Sequence, residues 1–140
     1  MFAKQLTVFI ENRSGRLCEV LNVLKNSGVN ILSLSLADTT EFGLLRLIVD
    51  KPAAGKEKLT ENGFSSLLSD VSIIKISHEV GSLQTLLRAI DESSVNIEYM
   101  YGLSIEASDA YVVLKASDVN KIDEILAKNN IETVDCDHIL

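Results

Sequence analysis

An internal repeat is the feature that most constrains how this chain can fold. Gly15 matches Gly81, and the run Val29-Asn30-Ile31 matches Val95-Asn96-Ile97 at the same spacing of 66 residues. Self-similarity at one fixed offset indicates two copies of a single folded unit. The 140 residues therefore predict two modules of about 70 residues each, a size near the lower limit for an independent core.

Each repeat carries the same amphipathic helix, because large aliphatic residues recur at i, i+3, i+4 and i+7 in both. The two sets are Leu17, Val20, Leu21, Leu24 and Leu83, Leu86, Leu87, Ile90. Gly28 suits the left-handed residue that ends the first helix, and Ser94 in its place predicts a looser end for the second. Alternating strands precede the helices, at Leu6, Val8, Ile10 and at Ser72, Ile74, Ile76.

The remaining elements follow in the same order in both copies. A second strand begins at each Asn-Ile step, and third strands are predicted at 44–49 and 110–114, after turns at 38–42 and 106–109. Asp118 is a predicted N-cap for a helix with Val119, Ile122, Ile125 and Leu126 on one face. Its counterpart in the first module is predicted from Pro52 to Glu61, although Gly55 weakens that pattern.

Last strands at 64–68 and 131–136 complete both modules, which we place at residues 1–69 and 70–140 with almost no linker. The predicted fold class is α+β, with two ferredoxin-like βαββαβ modules, antiparallel sheets and both helices on one face. Aliphatic side chains occur on both sides of the second strand of the first module. We therefore expect another module or a second chain to cover an exposed face or edge.

Composition argues against several classes of function. The chain has 13 Lys and Arg against 20 Asp and Glu, a net charge of −7, which disfavours nucleic acid as a partner. No apolar run approaches the roughly 18 residues of a membrane span, and Met1-Phe2-Ala3-Lys4 lacks a signal-peptide pattern, so we expect a cytoplasmic protein with no membrane partner. Cys18 and Cys136 lie outside any CxxC spacing and are expected to be reduced, packed thiols.

The segment Asp135-Cys136-Asp137-His138 contains side chains of the types that bind metals. Alternation along a strand sends both Asp side chains to one face and those of Cys136 and His138 to the other. One ion cannot collect all four, so we predict neither a metal nor a cofactor.

The two strand-to-helix segments are Asn12-Arg13-Ser14-Gly15-Arg16-Leu17 and His78-Glu79-Val80-Gly81-Ser82-Leu83. With the Val-Asn-Ile that follows each helix, they resemble the ACT domain, a small-molecule-binding regulatory module of amino-acid pathway enzymes. The resemblance covers the whole chain in two copies. It implies a non-catalytic regulator that binds a free amino acid where modules pair through their edge strands. A homodimer and a regulated partner enzyme are the expected assemblies.

The loops that carry the resemblance differ in charge. The family often has an acidic residue and a Pro before the glycine, whereas Arg13-Ser14 and Glu79-Val80 occupy those places here. The start of a helix favours an α-carboxylate through its unpaired N–H groups, and Arg13 and Arg16 are able to pair a carboxylate bidentately. In the second loop, His78-Glu79 suits a ligand ammonium group instead. We therefore expect the two modules to bind differently, and the glycines to suit a tight turn even without a ligand.

Residues at the start of each second strand complete the predicted ligand site. In Asn30-Ile31 and Asn96-Ile97, the carboxamide is able to read an amino or carboxylate group, or to form only a local turn. Tyr99-Met100 is a further candidate lining. The sequence does not distinguish these roles from ordinary packing.

Other functions fit parts of the same pattern. A protein-interaction or oligomerisation module without a ligand remains open. Less favoured is an acyl-phosphate hydrolase on this scaffold, in which Arg13 or Arg16 would hold phosphate with Asn30, because no nucleophile and base occur at convincing spacing. RNA-recognition modules share the element order but need aromatic side chains on central strands in a basic surface, and here those strands offer only Phe9 and Tyr111.

Overall fold

The computed structural model describes residues 2–11, 13–38, 42–77, 79–103 and 110–135. Over these ranges the chain alternates strands and helices in the predicted α+β order. The bounds are β1 Ala3–Glu11, α1 Arg16–Asn26, β2 Ile31–Asp38, β3 Phe42–Val49, α2 Pro52–Glu61, β4 Ser65–Ile76, α3 Ser82–Glu92, β5 Ile97–Leu103, β6 Ala110–Ala116, α4 Val119–Lys128 and β7 Thr133–Val134. The tandem ferredoxin-like fold class is confirmed.

Two compact units divide the chain, one formed by residues 4–69 and the other containing residues 70–135. The sequence predicted a last strand at 64–68 and a separate strand around Ser72, but the structure has one continuous strand, β4. Nothing between 65 and 76 is Gly or Pro, so no residue there interrupts the extended backbone. No helix within the described part of the chain is long and apolar enough to cross a bilayer.

The sheet of the first unit has the strand order β2-β3-β1-β4. β3 pairs antiparallel with both β1 and β2, so that Leu6 and Leu34 are both opposite Leu47. α1 and α2 cover the face on which Leu6 lies. The buried residues of this core are Leu6, Val8, Ile10, Val20, Leu24, Val29, Leu45, Leu47, Val49, Leu59 and Phe64.

Gly55 lies in the buried face of α2 and explains why this helix was weakly marked in the sequence. A Cβ at Gly55 would lie 3.2 Å from Leu6 Cδ2 and 3.3 Å from Leu24 Cδ2. The missing side chain therefore lets α2 pack closely against β1 and α1, and tertiary packing compensates for the low helix propensity of glycine.

The second unit repeats this plan. β6 pairs antiparallel with β4 and β5, and β7 pairs with β4. Asp118 caps α4 as predicted, since its Oδ1 accepts a hydrogen bond from the N–H of Lys121 at 3.1 Å. The buried core consists of Ile74, Leu86, Ile90, Val95, Leu114, Ala116, Ile122 and Leu126.

Several predicted strand boundaries differ from those in the structure, two of them because the residues concerned cap helices. Phe64 and Ile131 were predicted to start strands, but their N–H groups donate to Leu59 O and Leu126 O, each at 2.9 Å. They therefore belong to the ends of α2 and α4. Asp38 and Phe42, predicted as turn residues, lie in β2 and β3. The predicted turn at 106–109 and the residues 39–41 and 136–138 fall outside the described ranges.

Two further expectations need correction. Ser94 has φ 61°, close to the 70° of Gly28, so the second helix ends in the same left-handed conformation and the strain stays in the backbone of Ser94. Cys18 is exposed and not packed, because it lies off the face of α1 on which Val20 and Leu24 are buried. Cys136 lies outside the described residues.

Candidate functional site

The loop between the first strand and first helix has the same backbone shape in both units. Gly15 and Gly81 each have φ 88°, a left-handed conformation that glycine adopts at little cost. Each glycine is followed at once by a helix that has no side-chain N-cap. The Arg16 N–H donates to the Arg13 carbonyl at 3.4 Å and the Ser82 N–H to the Glu79 carbonyl at 3.2 Å, so the next N–H groups in each first turn are the ones able to meet an anion. The left-handed turn itself is a sufficient reason for both glycines.

A cavity of about 250 Å³ opens beside this loop in the first unit. The end of β1, the loop, the start of α1 and the β2–β3 hairpin all contribute to its wall. Its lining residues are Ile10, Glu11, Arg13, Leu17, Leu36, Ala37 and Gly43. The cavity thus combines aliphatic walls with two charged groups.

Glu11 and Arg13 place opposite charges at this cavity. Glu11 Oε2 and Arg13 Nε are 3.0 Å apart, and the two side chains are 59% and 61% exposed. The Arg13 N–H also donates to the Glu11 carbonyl at 2.8 Å, which holds the two residues side by side. An ion pair this exposed contributes at most about 1 kcal/mol, so ligand charges are able to replace either partner.

Gly43 in β3 lines the cavity, and sequence reasoning missed it. A Cβ at Gly43 would lie 3.1 Å from Ile10 Cγ1 and 3.4 Å from Leu36 Cδ1. Its φ is not in the left-handed region, so the backbone does not demand glycine. The available signal was a glycine within a strand, which often marks close approach of a ligand or another backbone, but the predicted strand began one residue later.

Arg16 is directed away from the cavity, unlike Arg13. Its guanidinium carbon lies 4.3 Å from the centroid of the Phe64 ring, and Nη1 donates to Glu19 Oε2 at 2.5 Å. The side chain is 18% exposed. This cation–π contact and ion pair stabilise the start of α1, so Arg16 has a structural role and the cavity keeps one arginine.

Asn30 and Asn96 lie at the opposite ends of their helices from the loops. The Asn30 N–H donates to Asp50 Oδ1 at 2.8 Å, and the Asp50 N–H donates back to the Asn30 carbonyl at 3.1 Å. Ser117 exchanges two equivalent bonds with Asn96, at 3.3 and 2.9 Å. Because α1 has 11 residues with a rise of about 1.5 Å each, Asn30 lies roughly 16 Å from the loop of its own unit.

The whole chain, residues 1–140, matches the family model of the ACT domain pair. This protein belongs to the ACT domain pair family. The resemblance of the two loop segments to the ACT domain is thereby confirmed.

Named relatives of this ACT domain pair include the acetolactate synthase isozyme 3 small subunit of Escherichia coli strain K12. It is 30% identical over 135 residues, which cover 87% of this chain and 81% of that one. Protein BT0572 from Bacteroides thetaiotaomicron has the same fold, with a TM-score of 0.91 and 36% identity over 96% of this chain and 92% of that one. The ligand-free regulatory subunit of aspartate kinase from Thermus thermophilus has a TM-score of 0.62 at 17% identity, covering 89% and 91%, and shows the fold alone.

The two ACT units have different surroundings for the same predicted site residues. Asn30-Ile31 lines a groove of about 380 Å³ beside the end of α1, and Asn96-Ile97 lines a larger one of about 640 Å³ beside α3, which includes Leu83. Ser82 lies at a separate pocket of about 430 Å³, with its Oγ 2.7 Å from Ser77 Oγ.

Other predicted site residues of the ACT pair are placed as follows. Ser14, Glu79 and Val80 are exposed in the two loops, and Tyr99-Met100 is half-buried in β5. Asn12 and His78 fall outside the described residues.

The phosphate-holding arrangement required by a hydrolase is not formed within the first ACT unit. Arg16 stacks on Phe64, and Asn30 lies at the far end of α1 from Arg13. The lining of the cavity, as far as the structure describes it, contains no Ser, Cys or His. The geometry is suited to holding a small charged molecule.

Proposed function

We propose that this ACT domain pair is a non-catalytic regulatory protein that binds a free amino acid at the cavity of its first unit. The observation that carries the proposal is the position of Glu11 and Arg13 at the mouth of an aliphatic cavity. A free amino acid carries a carboxylate, an ammonium group and a side chain within a few ångströms of one another. The cavity offers a complementary partner to each of the three groups.

In this arrangement the ligand replaces the internal ion pair. The Arg13 guanidinium and the N–H groups of the first turn of α1 beyond Arg16 receive the carboxylate, and Glu11 receives the ammonium group. The ligand side chain then lies among the apolar side chains of the wall, which removes their surface from water. Because the existing ion pair is exposed, its loss subtracts little from the binding free energy.

We also propose that two copies pair through β2, and that the pairing completes the site. β2 ends the strand order of the first unit, and its Leu34 and Leu36 are 47% and 49% exposed. Such an apolar edge strand is a template for pairing with another chain. In a symmetric antiparallel pair, the start of one strand lies beside the end of the other, so Asn30 of the partner subunit comes to the end of β2 that lines the cavity.

A regulatory role for this chain is supported by the names of its relatives. The E. coli relative, for example, is a small subunit of acetolactate synthase isozyme 3. We propose the same division of labour here, in which ligand occupancy is reported to a separate enzyme subunit.

Thermal unfolding of the full chain with each of the twenty standard amino acids tests the proposal. A ligand at a hundredfold excess over its dissociation constant stabilises the folded state by about 2.7 kcal/mol, which is a clear rise in unfolding temperature. Mass spectrometry of the denatured protein checks for an amino acid retained during purification. If no amino acid shifts unfolding and none is retained, the proposal is wrong.

A further inference from the structure

We infer that Gly43 sets the size of the ligand cavity and that Ala110 closes the same position in the second unit, so that each chain binds one amino acid, through its first unit. The inference rests on the proposed function. It adds the number of ligands per chain and the residue that limits their size.

Strand pairing identifies Ala110 as the counterpart of Gly43. Gly43 pairs with Ile10 across β1 and β3, and Ala110 pairs with Ile76 across β4 and β6. Ile10 and Ile76 are themselves matched by the repeat. Residues directly opposite each other in an antiparallel pair point to the same face of the sheet, so the methyl group of Ala110 occupies the position that corresponds to a Cβ on Gly43.

Gly43 lines the cavity, and the backbone at this position does not require glycine. Glycine weakens a strand relative to alanine, and the φ of Gly43 is one that alanine adopts freely. An added Cβ would contact Ile10 and Leu36 at 3.1 to 3.4 Å, and both of these residues line the cavity. Even one methyl group at this position therefore reduces the volume left for the ligand side chain.

The other wall positions of the second unit also differ from those of the first. Ser77 and Glu79 replace the ion pair there, so the second loop has a carboxylate and no arginine where Arg13 lies in the first. Gly102 stands where Leu36 forms the wall of the first unit, and a Cβ there would meet nothing within 4 Å. Among the residues that the structure describes, the second unit thus has no counterpart of the Arg13 guanidinium or of the Leu36 side chain, and a methyl group stands at the counterpart of Gly43.

Isothermal titration of the full wild-type chain counts the ligands. The probe is whichever standard amino acid raises the unfolding temperature most, followed by glycine, alanine, valine, leucine and phenylalanine as a size series. We expect one ligand per chain. Two per chain would overturn the inference while leaving the proposed function in place, and binding of no amino acid would overturn both.

The variant Gly43→Ala tests the size limit, and Gly102→Ala is its matched control. Both replace a strand glycine with alanine, but only the first adds a methyl group at the cavity. We expect Gly43→Ala to bind the ligand about tenfold more weakly or worse, with the largest loss for the longest side chains, and Gly102→Ala to bind like wild type. Circular dichroism without ligand checks that both variants fold.

Unchanged affinity in a folded Gly43→Ala variant would contradict the inference. Should that variant not fold, the number of ligands bound by the wild-type chain still decides between one site and two.

Discussion

Arg13 and Arg16 are three residues apart, yet their guanidinium groups have unlike surroundings. Arg13 is exposed and pairs with Glu11 at the cavity, whereas Arg16 is mostly buried and stacks on Phe64. The guanidinium group of Arg13 is therefore accessible to a ligand. The guanidinium group of Arg16 is already engaged by the Phe64 ring and by Glu19. The two arginines should therefore respond in opposite ways to the same substitution.

We expect Arg13→Gln to weaken amino-acid binding by 1.5 to 3 kcal/mol, about tenfold to more than a hundredfold, because a hydrogen bond to a charged group is lost. Its stability without ligand should stay within about 0.5 kcal/mol of wild type. Arg16→Gln is the matched variant. It should lower the free energy of unfolding by about 1 to 2 kcal/mol through loss of the cation–π contact and ion pair, with affinity unchanged.

Titration calorimetry and urea unfolding measure the two effects of these arginine variants. A result in which Arg16→Gln loses affinity and Arg13→Gln does not would show that the ligand site has been assigned to the wrong arginine.

The contrast between Arg13 and Arg16 also shows how far the role of a single residue is predictable from its neighbours in the sequence. Both arginines flank Gly15, and nothing local separates their roles, because Arg16 is fixed by Phe64, which lies far along the chain. Gly43 escaped notice for a similar reason, since its neighbours Ile10 and Leu36 come from two other strands. Residue types near a glycine-containing loop predicted where a ligand site lies, but contacts across the sheet decide which side chains form it.

At the scale of elements, helix ends carry the clearest difference between the repeats. α1 and α3 both end in a left-handed residue, Gly28 in one and Ser94 in the other. A non-glycine residue in this conformation stores about 1 to 3 kcal/mol of strain. The left-handed backbone conformation is therefore less favourable in free energy at Ser94 than at Gly28.

Replacing Ser94 with glycine should stabilise the protein by about 1 kcal/mol, because the strain is relieved and only part of the gain is offset by the greater freedom of glycine when unfolded. The reverse exchange, Gly28→Ser, should destabilise it by a similar amount. Urea unfolding of both variants beside wild type measures this. Equal stability of wild type and Ser94→Gly would mean that Ser94 is not strained.

Element order was predictable because it depends on local periodicity and on a repeat that reinforces each assignment. The helices and most strands follow directly from the spacing of aliphatic residues. The ends of β4 and β7 were not predictable to the residue, since Phe64 and Ile131 are apolar residues that suit a strand but complete helix caps instead. The two strands predicted on either side of Ser69-Asp70 were kept apart because the module boundary was placed at this polar pair, whereas the structure has one strand there.

For the whole molecule, the proposed pairing through β2 makes assembly testable. Light scattering should give twice the chain mass of 15.3 kDa. Leu34→Glu places a charge on the exposed edge and should shift the protein to a monomer. Val80→Glu is the control, because Val80 is fully exposed in a loop and the same charge there should leave the assembly unchanged. A dimer that survives Leu34→Glu would indicate another interface.

Ligand binding and assembly should be coupled if the partner subunit's Asn30 completes the cavity. Thermodynamic linkage then makes two effects equal in size. If dimerisation raises the affinity for the ligand by some factor, the ligand raises the affinity between the two chains by the same factor. We expect sedimentation of dilute protein to show tighter dimers with the amino acid present. Asn30→Ala should abolish this effect and Asn96→Ala should not. A dimerisation constant that the ligand does not alter would argue for a site within one chain.

The continuity of β4 bears on how such a protein is inherited. Strand β4 begins in one repeat and ends in the other with no loop between them, so a recombination event that moved or deleted one repeat would have to cut a hydrogen-bonded strand. Each fragment would then keep only part of β4. The two repeats are therefore expected to be inherited together as one unit, even while the sequences of their ligand loops diverge.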